Sequence, residues 1–82
     1  MIEPVYAQVG GRVRRWRHAR GLSLAALGGK ASLSMQGLSQ IEMGRVRVQV
    51  HTLIRIAAAL EVAVDRLLIE RPSRARRHVH RK

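Results

Sequence analysis

Residues 23–44 constrain the fold more than any other part of the chain. Ser23 and Ser34 each precede a run of apolar residues at helical spacing, where a hydroxyl oxygen can accept a hydrogen bond from a free amide of the first helical turn. Gly44 follows the second run and supplies the conformation in which many helices end. The pattern therefore predicts two short helices joined by a tight turn. We expect them at residues 24–30 and 35–43.

The two predicted helices differ in what they present outward. Their inward positions are apolar: Leu27, Ala31, Leu33, Leu38 and Ile41. The outward face of the second helix is polar but uncharged, with Met35, Gln36, Ser39 and Gln40. Because an amide side chain donates and accepts at once, this face suits the hydrogen-bonding pattern of base edges.

The charge of the chain indicates a polyanionic partner. Sixteen Lys and Arg residues stand against five Asp and Glu, a formal net charge of +11, with one Trp, one Tyr and no Phe. So few aromatic residues argue against the base stacking that RNA and single-strand modules commonly use. Double-stranded DNA is therefore favoured. An acidic membrane surface is not, since the basic residues do not line a strongly amphipathic helix.

The length and composition indicate one small domain. Its 82 residues are 46% apolar and include no cysteine, so an ordinary hydrophobic core must hold it together. No apolar run approaches the roughly 18 to 20 residues of a membrane span, and the start of the sequence lacks a signal-peptide pattern. We expect a cytoplasmic, nucleoid-associated protein.

Three further helices are predicted around the central pair. The first runs from residue 5 or 6 to residue 20, and Gly10 and Gly11 are expected to weaken it. Its predicted buried stripe is Val9, Val13 and Trp16, its outward residues are Arg12, Arg14 and Arg15, and Gly21 ends it. The fourth helix, residues 49–60, turns Leu53, Ile56, Ala57 and Leu60 inward, and the fifth, residues 64–70, buries Leu67 and Leu68.

The chain thus divides into an N-terminal arm at residues 1–8, a helical domain at residues 9–70 and a tail at residues 71–82. The tail holds six basic residues and no acidic ones, which is typical of a disordered cationic segment. His78 and His80 lie there without cysteine or carboxylate neighbours, so no metal site is expected.

The most specific motif is the segment Leu38-Ser39-Gln40-Ile41-Glu42-Met43-Gly44. It resembles the Ile-Ser-x-Ile-Glu-x-Gly signature of the lambda-repressor-like, Cro/C1 or XRE-type, helix-turn-helix family, and the resemblance extends over residues 9–68. Further matches are Val13, Trp16, Arg17, Gly21, Leu22, Ser23, Leu27, Leu53, Ile56, Ala57, Leu60, Val62 and Leu67. The resemblance implies a compact all-α domain of five helices, with the helix-turn-helix at helices 2 and 3.

In this family the second helix of the motif lies in the major groove. The positions that the resemblance assigns to base reading are Met35, Gln36, Gly37, Ser39 and Gln40. The candidates for phosphate contacts are Ser23 and Ser34, beside free helix amides, and the basic residues Lys30, Arg45, Arg47 and Arg15. Arg17 and Glu42 correspond to an ion pair of many members, which can also be understood as a surface salt bridge worth about 0 to 1 kcal/mol.

The sequence also departs from the family pattern. Leu24 replaces a glutamine that contacts phosphate, and Ser32 and Glu61 each replace a frequent glycine. A non-glycine residue in the left-handed conformation costs about 1 kcal/mol or more. Gly37 offers no side chain for readout, which fits either a close approach of backbone to DNA or drift on an exposed face.

The resemblance implies a sequence-specific DNA-binding transcriptional regulator from a bacterium, phage or plasmid. One small unit reads few base pairs, so we expect a homodimer, with Leu67, Leu68 and Ile69 at its interface. Two alternatives are an antitoxin that neutralises a protein toxin and autoregulates its operon, and a restriction-modification controller protein. With no cysteine nucleophile, no Gly-rich phosphate loop and dispersed acids, the sequence offers no catalytic constellation and implies no cofactor.

Overall fold

The computed structural model describes residues 3–69, and these residues form five helices without a strand. The helices are α1 (Pro4–Ala19), α2 (Leu24–Ala31), α3 (Met35–Glu42), α4 (Val50–Leu60) and α5 (Asp65–Leu68). The predicted all-α fold is confirmed, and α2 and α3 end within one residue of their predicted bounds. The predicted tail, with His78 and His80, lies outside the described residues. No helix among residues 3–69 has both the length and the apolar character needed to cross a membrane.

The first helix starts earlier than predicted. Pro4 occupies its first turn, where the missing amide hydrogen costs nothing and the fixed φ angle of proline is already helical. Residues 4–8 are therefore helical, although the predicted division assigned residues 1–8 to an arm. The helix also continues through Gly10 and Gly11, and Gly10 is buried.

All five helices contribute to one hydrophobic core. Helix α1 packs against α3 and α5, while α2 packs against α3 and α4. The buried apolar residues are Val9, Val13, Leu27, Ala31, Leu38, Ile41, Leu53, Ile56, Ala57, Leu60 and Leu67. Trp16, predicted as part of the buried stripe, is only partly buried against this core.

Helices α1 and α3 touch backbone to backbone at Gly10. A Cβ atom on Gly10 would lie 2.7 Å from the Glu42 carbonyl oxygen and would also collide with that of Ile41. Just beyond α3, Gly44 has a φ of +70°, and a Cβ there would lie 2.5 Å from the Cα of Ala7. Only glycine permits both approaches, so the end of α3 is held directly against α1.

Two helix ends use the left-handed conformation without glycine. Ser32 at the end of α2 has a φ of 60°, and Glu61 at the end of α4 has a φ of 61°. Each end receives an arginine. Arg55 donates from Nε to the Ala31 carbonyl at 3.0 Å and from Nη2 to that of Ser32 at 3.1 Å. Arg20 donates in the same way to the Leu60 carbonyl at 2.7 Å and the Glu61 carbonyl at 3.2 Å.

A third arginine contacts the end of α5. Arg12 was predicted to face outward, but it is buried, and its Nη1 donates to the carbonyl oxygens of Leu67 at 3.2 Å and Leu68 at 3.1 Å. A cation is stabilised at this end because the unpaired carbonyls of a helix carry partial negative charge. Arg12 therefore joins α5 to α1 and is not a surface residue.

The last helix separates residues that were predicted to act together. Leu67 is fully buried in the core, so its assignment to a dimer interface is wrong. Leu68 was also predicted to be buried, but it is 46% exposed, and Ile69 is 58% exposed. Of the three residues predicted for the dimer interface, Leu68 and Ile69 are exposed and available to a partner.

Candidate nucleic-acid interface

Helices α2 and α3 are capped by the two serines that the sequence singled out. The Ala26 amide donates to Ser23 Oγ at 3.0 Å, and the Gly37 amide donates to Ser34 Oγ at 2.9 Å. Between the helices, the Leu33 amide donates to the Gly28 carbonyl at 2.8 Å, which closes the turn. These local bonds fix where α3 begins.

The outer face of α3 is open and carries no charge. Met35 and Gln36 are exposed, while Ser39 and Gln40 are half-buried. Met43, just past the helix end, lies four residues after Ser39 and is 48% exposed. Met43 was not among the predicted base-reading residues, although its spacing places it on the side of Ser39. The face offers amide, hydroxyl and thioether groups.

Glu42, the last residue of α3, is turned away from this face by Arg17 of α1. Arg17 Nε and Nη2 donate to the two carboxylate oxygens at 2.7 and 3.0 Å, and Nη1 donates to the Leu22 carbonyl at 3.0 Å. The hydrogen bonds that Arg17 donates to Glu42 raise the pKa of Arg17, against the opposing effect of burial. The two side chains are only 10% and 5% exposed, so this is not a surface salt bridge. The pair ties the end of α3 to α1 and to the loop before α2.

A groove of about 350 Å³ runs between α3 and the loop that follows it. It brings together four of the predicted site residues, Ser34, Gly37, Gln40 and Arg47. The missing side chain of Gly37 helps to open it, since a Cβ there would meet only Ser34 Oγ, at 3.0 Å. The rest of the lining is apolar at Leu33, Ile41, Val46 and Val48 and polar at Gln49 and Thr52.

The basic residues predicted to contact phosphate lie at different positions relative to this groove. Arg45 and Arg47 lie in the loop after α3, and Lys30 lies in the last turn of α2; all three are exposed. Arg15 is exposed on α1, where it lines a separate depression with Gln8 and Gly11. The structure thus does not bring Arg15 to the α3 groove.

Leu24 stands where the family pattern has a glutamine that contacts phosphate. Its side chain is half-buried and packs against the hydrophobic core. The first turn of α2 therefore offers the Ser23 hydroxyl and main-chain amides to an anion, but no polar side chain at residue 24.

The arrangement of α2, the turn and α3 agrees with comparisons to known proteins. A family model described as a helix-turn-helix domain matches residues 8–68, which include all of α2, α3 and α4. The chain belongs to the helix-turn-helix family. No curated protein matches the sequence.

Solved structures place this helix-turn-helix protein with the XRE-type, Cro/C1-like members. The restriction-modification controller protein C.AhdI from Aeromonas hydrophila is 26% identical, with a TM-score of 0.77, over 79% of this chain and 98% of that one. The clp gene regulator ClgR from C. glutamicum is 30% identical, with a TM-score of 0.77, over 80% of this chain and 86% of that one.

The DNA-binding domain of SinR from Bacillus subtilis is 32% identical, with a TM-score of 0.74, over 79% of this chain and 96% of that one. SinR, a master regulator of biofilm formation, has also been solved in complex with DNA; that structure has a TM-score of 0.71. The family and fold of this helix-turn-helix protein are those of DNA-binding transcription regulators and not of enzymes.

Proposed function

We propose that this protein is a sequence-specific transcriptional regulator that places α3 in the major groove of DNA. The observation that carries the proposal is the uncharged, exposed outer face of α3 on a helix whose two ends are fixed. Ser34 caps its start, and Gly10 and the Arg17–Glu42 pair hold its end. Because such a helix is already ordered before it enters the groove, binding costs little further conformational entropy.

Within this proposal the side chains of α3 read bases. Gln36 and Gln40 are one helical turn apart, and each can donate to and accept from an adenine edge. Met35 can pack on a thymine methyl group, Ser39 can contact a base edge or phosphate, and Gly37 allows close approach of the backbone.

Phosphates are contacted around the reading helix. Their proposed partners are Ser23, Lys30, Ser34, Arg45 and Arg47, together with Arg15 on α1, which lies outside the α3 groove. Contacts of this kind position the protein and supply salt-dependent affinity, but they carry no sequence information. The exposed loop after α3, with Arg45 and Arg47, takes the largest share because it adjoins the groove.

We further propose a symmetric homodimer that acts in the cytoplasm on a palindromic operator. Leu68 and Ile69, exposed at the end of α5, supply apolar surface for the interface. Two reading helices would then meet half-sites about one helical turn, roughly 34 Å, apart. Analytical ultracentrifugation should find a dimer at micromolar concentration, and a monomer would refute this part of the proposal.

Selection of bound duplexes from a random pool tests the function directly. A defined, inversely repeated motif is expected, and enrichment of no sequence would contradict specific reading. With the selected operator, Gln40→Ala should reduce the preference over random DNA by about 1 to 3 kcal/mol. Arg45→Ala should weaken all sequences alike and lower the salt slope by about 1. Unchanged operator binding by Gln40→Ala would show that α3 is not the reader.

A restriction-modification controller is a second candidate. It is favoured by the similarity to C.AhdI, of which the alignment covers 98%. Selected sites that lie before adjoining methyltransferase and endonuclease genes would support this role. Sites before unrelated genes would support a more general regulator.

A further inference from the structure

Arg47 is paired within the chain. Its Nε and Nη2 donate to the two carboxylate oxygens of Glu3, each at 3.3 Å. Glu3 directly precedes α1 and lies outside residues 8–68, which match the family model. The pattern of the helix-turn-helix domain therefore assigns no role to this residue.

The Glu3 carboxylate occupies two donors of Arg47 that a DNA phosphate could use. Arginine recognises carboxylate and phosphate through the same planar pairs of N–H groups, and Glu3 takes the pair formed by Nε and Nη2 of Arg47. Arg47 also lines the groove beside α3. The same two-armed contact cannot be made to Glu3 and to a phosphate at once.

The ion pair between Arg47 and Glu3 is exposed and weak, so a phosphate can replace the Glu3 carboxylate. The Arg47 and Glu3 side chains are 63% and 54% exposed, and both bonds are longer than the roughly 2.7 to 2.9 Å of strong charge-assisted hydrogen bonds. The backbone amide of Glu3 and then the Arg47 guanidinium lower the pKa of the Glu3 carboxyl, so the carboxylate is ionised at neutral pH.

We infer that Glu3 sets the affinity of this protein for DNA by competing with a backbone phosphate for Arg47. The inference rests on the proposed function and concerns phosphate contact alone. Glu3 therefore lowers binding to every duplex by a similar factor and leaves the choice of sequence unchanged.

Fluorescence anisotropy with a short mixed-sequence DNA duplex tests this competition. Glu3→Gln should tighten binding about two- to fivefold, the size of effect typical of one exposed ion pair. Glu61→Gln is the matched control, because it removes an equal charge from an exposed acid on the α4–α5 connection. The gain from Glu3→Gln should exceed that of the control.

A double variant identifies the route of the effect. In an Arg47→Gln background, Glu3→Gln should give no more gain than Glu61→Gln, since the contested donor is gone. Equal gains from Glu3→Gln and Glu61→Gln in the wild-type background, or a Glu3 gain that persists without Arg47, would overturn the inference while leaving DNA binding intact. A wild-type chain that fails to bind any duplex would instead overturn the proposed function, and the inference with it. Thermal melts of all variants establish that they are folded.

Discussion

Arg55 offers a direct test of how this fold tolerates left-handed helix ends without glycine. It lies on α4 but donates two hydrogen bonds to the last carbonyls of α2, immediately before the turn that leads into α3. Replacing it with methionine keeps most of the aliphatic length and removes both donors and the charge. The expected result is a loss of stability that originates at the turn.

The size of this loss follows from the two bonds. An intramolecular hydrogen bond contributes about 0.5 to 1.5 kcal/mol net. The bond to the Ala31 carbonyl is partly buried, whereas the Ser32 carbonyl is exposed and can be hydrated once Arg55 is gone. Arg55→Met should therefore lower the free energy of unfolding by about 1 to 2 kcal/mol. For a domain of this size that corresponds to a fall in Tm of roughly 5 to 15 °C.

Ser32→Gly should act in the opposite direction. Ser32 has a φ of 60°, and relieving the clash of its Cβ regains about 1 kcal/mol, part of which is lost again to the greater freedom of glycine in the unfolded chain. The Arg55→Met, Ser32→Gly double variant should consequently lie between wild type and Arg55→Met.

Urea unfolding followed by circular dichroism measures these differences, with m-values unchanged if the same surface is exposed. Arg14→Met is the matched control, since Arg14 is an exposed arginine on α1 whose replacement removes the same charge. If Arg55→Met unfolds with the same midpoint as Arg14→Met, the two carbonyl contacts do not stabilise the turn and the reasoning is refuted.

Four other substitutions test the packing of the helices. Gly10→Ala should lower the free energy of unfolding by about 1 to 3 kcal/mol or more, because the new Cβ collides with backbone atoms. Gly11→Ala should raise it by about 0.5 to 1 kcal/mol, because no neighbouring atom lies within 4 Å of the new Cβ. Urea titrations of the two variants compare these effects. Glu42→Gln should cost about 1 to 3 kcal/mol in the same titration, since it leaves the buried Arg17 charge uncompensated. Leu67→Ala should cost about 2 to 5 kcal/mol in thermal melts, and a surface-like loss below 1 kcal/mol would contradict its burial.

The features predicted correctly from sequence are local ones. Ser23 and Ser34 each bond an amide three residues away, and Gly21 and Gly44 take positive φ angles at helix ends. Such features depend on a few adjacent residues, so the amino-acid sequence contains what is needed to predict them. The left-handed conformation of Ser32 could also be predicted, because this residue replaces a frequent glycine in the turn.

The errors concern contacts between residues far apart in the chain. Arg12 bonds to residues 55 and 56 positions away, and helical periodicity alone cannot tell an exposed arginine from one that meets the end of another helix. Leu67 and Leu68 are adjacent on a helix of four residues, which is too short for spacing to decide which one turns inward. No local sequence pattern predicts the ion pair between Glu3 and Arg47.

The contacts of the arginines also change what the net charge means for DNA binding. Ten basic residues lie within residues 3–69, but four donate to main-chain carbonyls: Arg12, Arg17, Arg20 and Arg55. Because these four are fixed at helix ends and loops, fewer cations can neutralise phosphates than the composition implies. The salt slope of the folded domain should be correspondingly shallow, at about 0.9 per phosphate actually contacted. When the contacts are few, each has a large share of the affinity, and a single carboxylate opposite Arg47 can then change binding measurably.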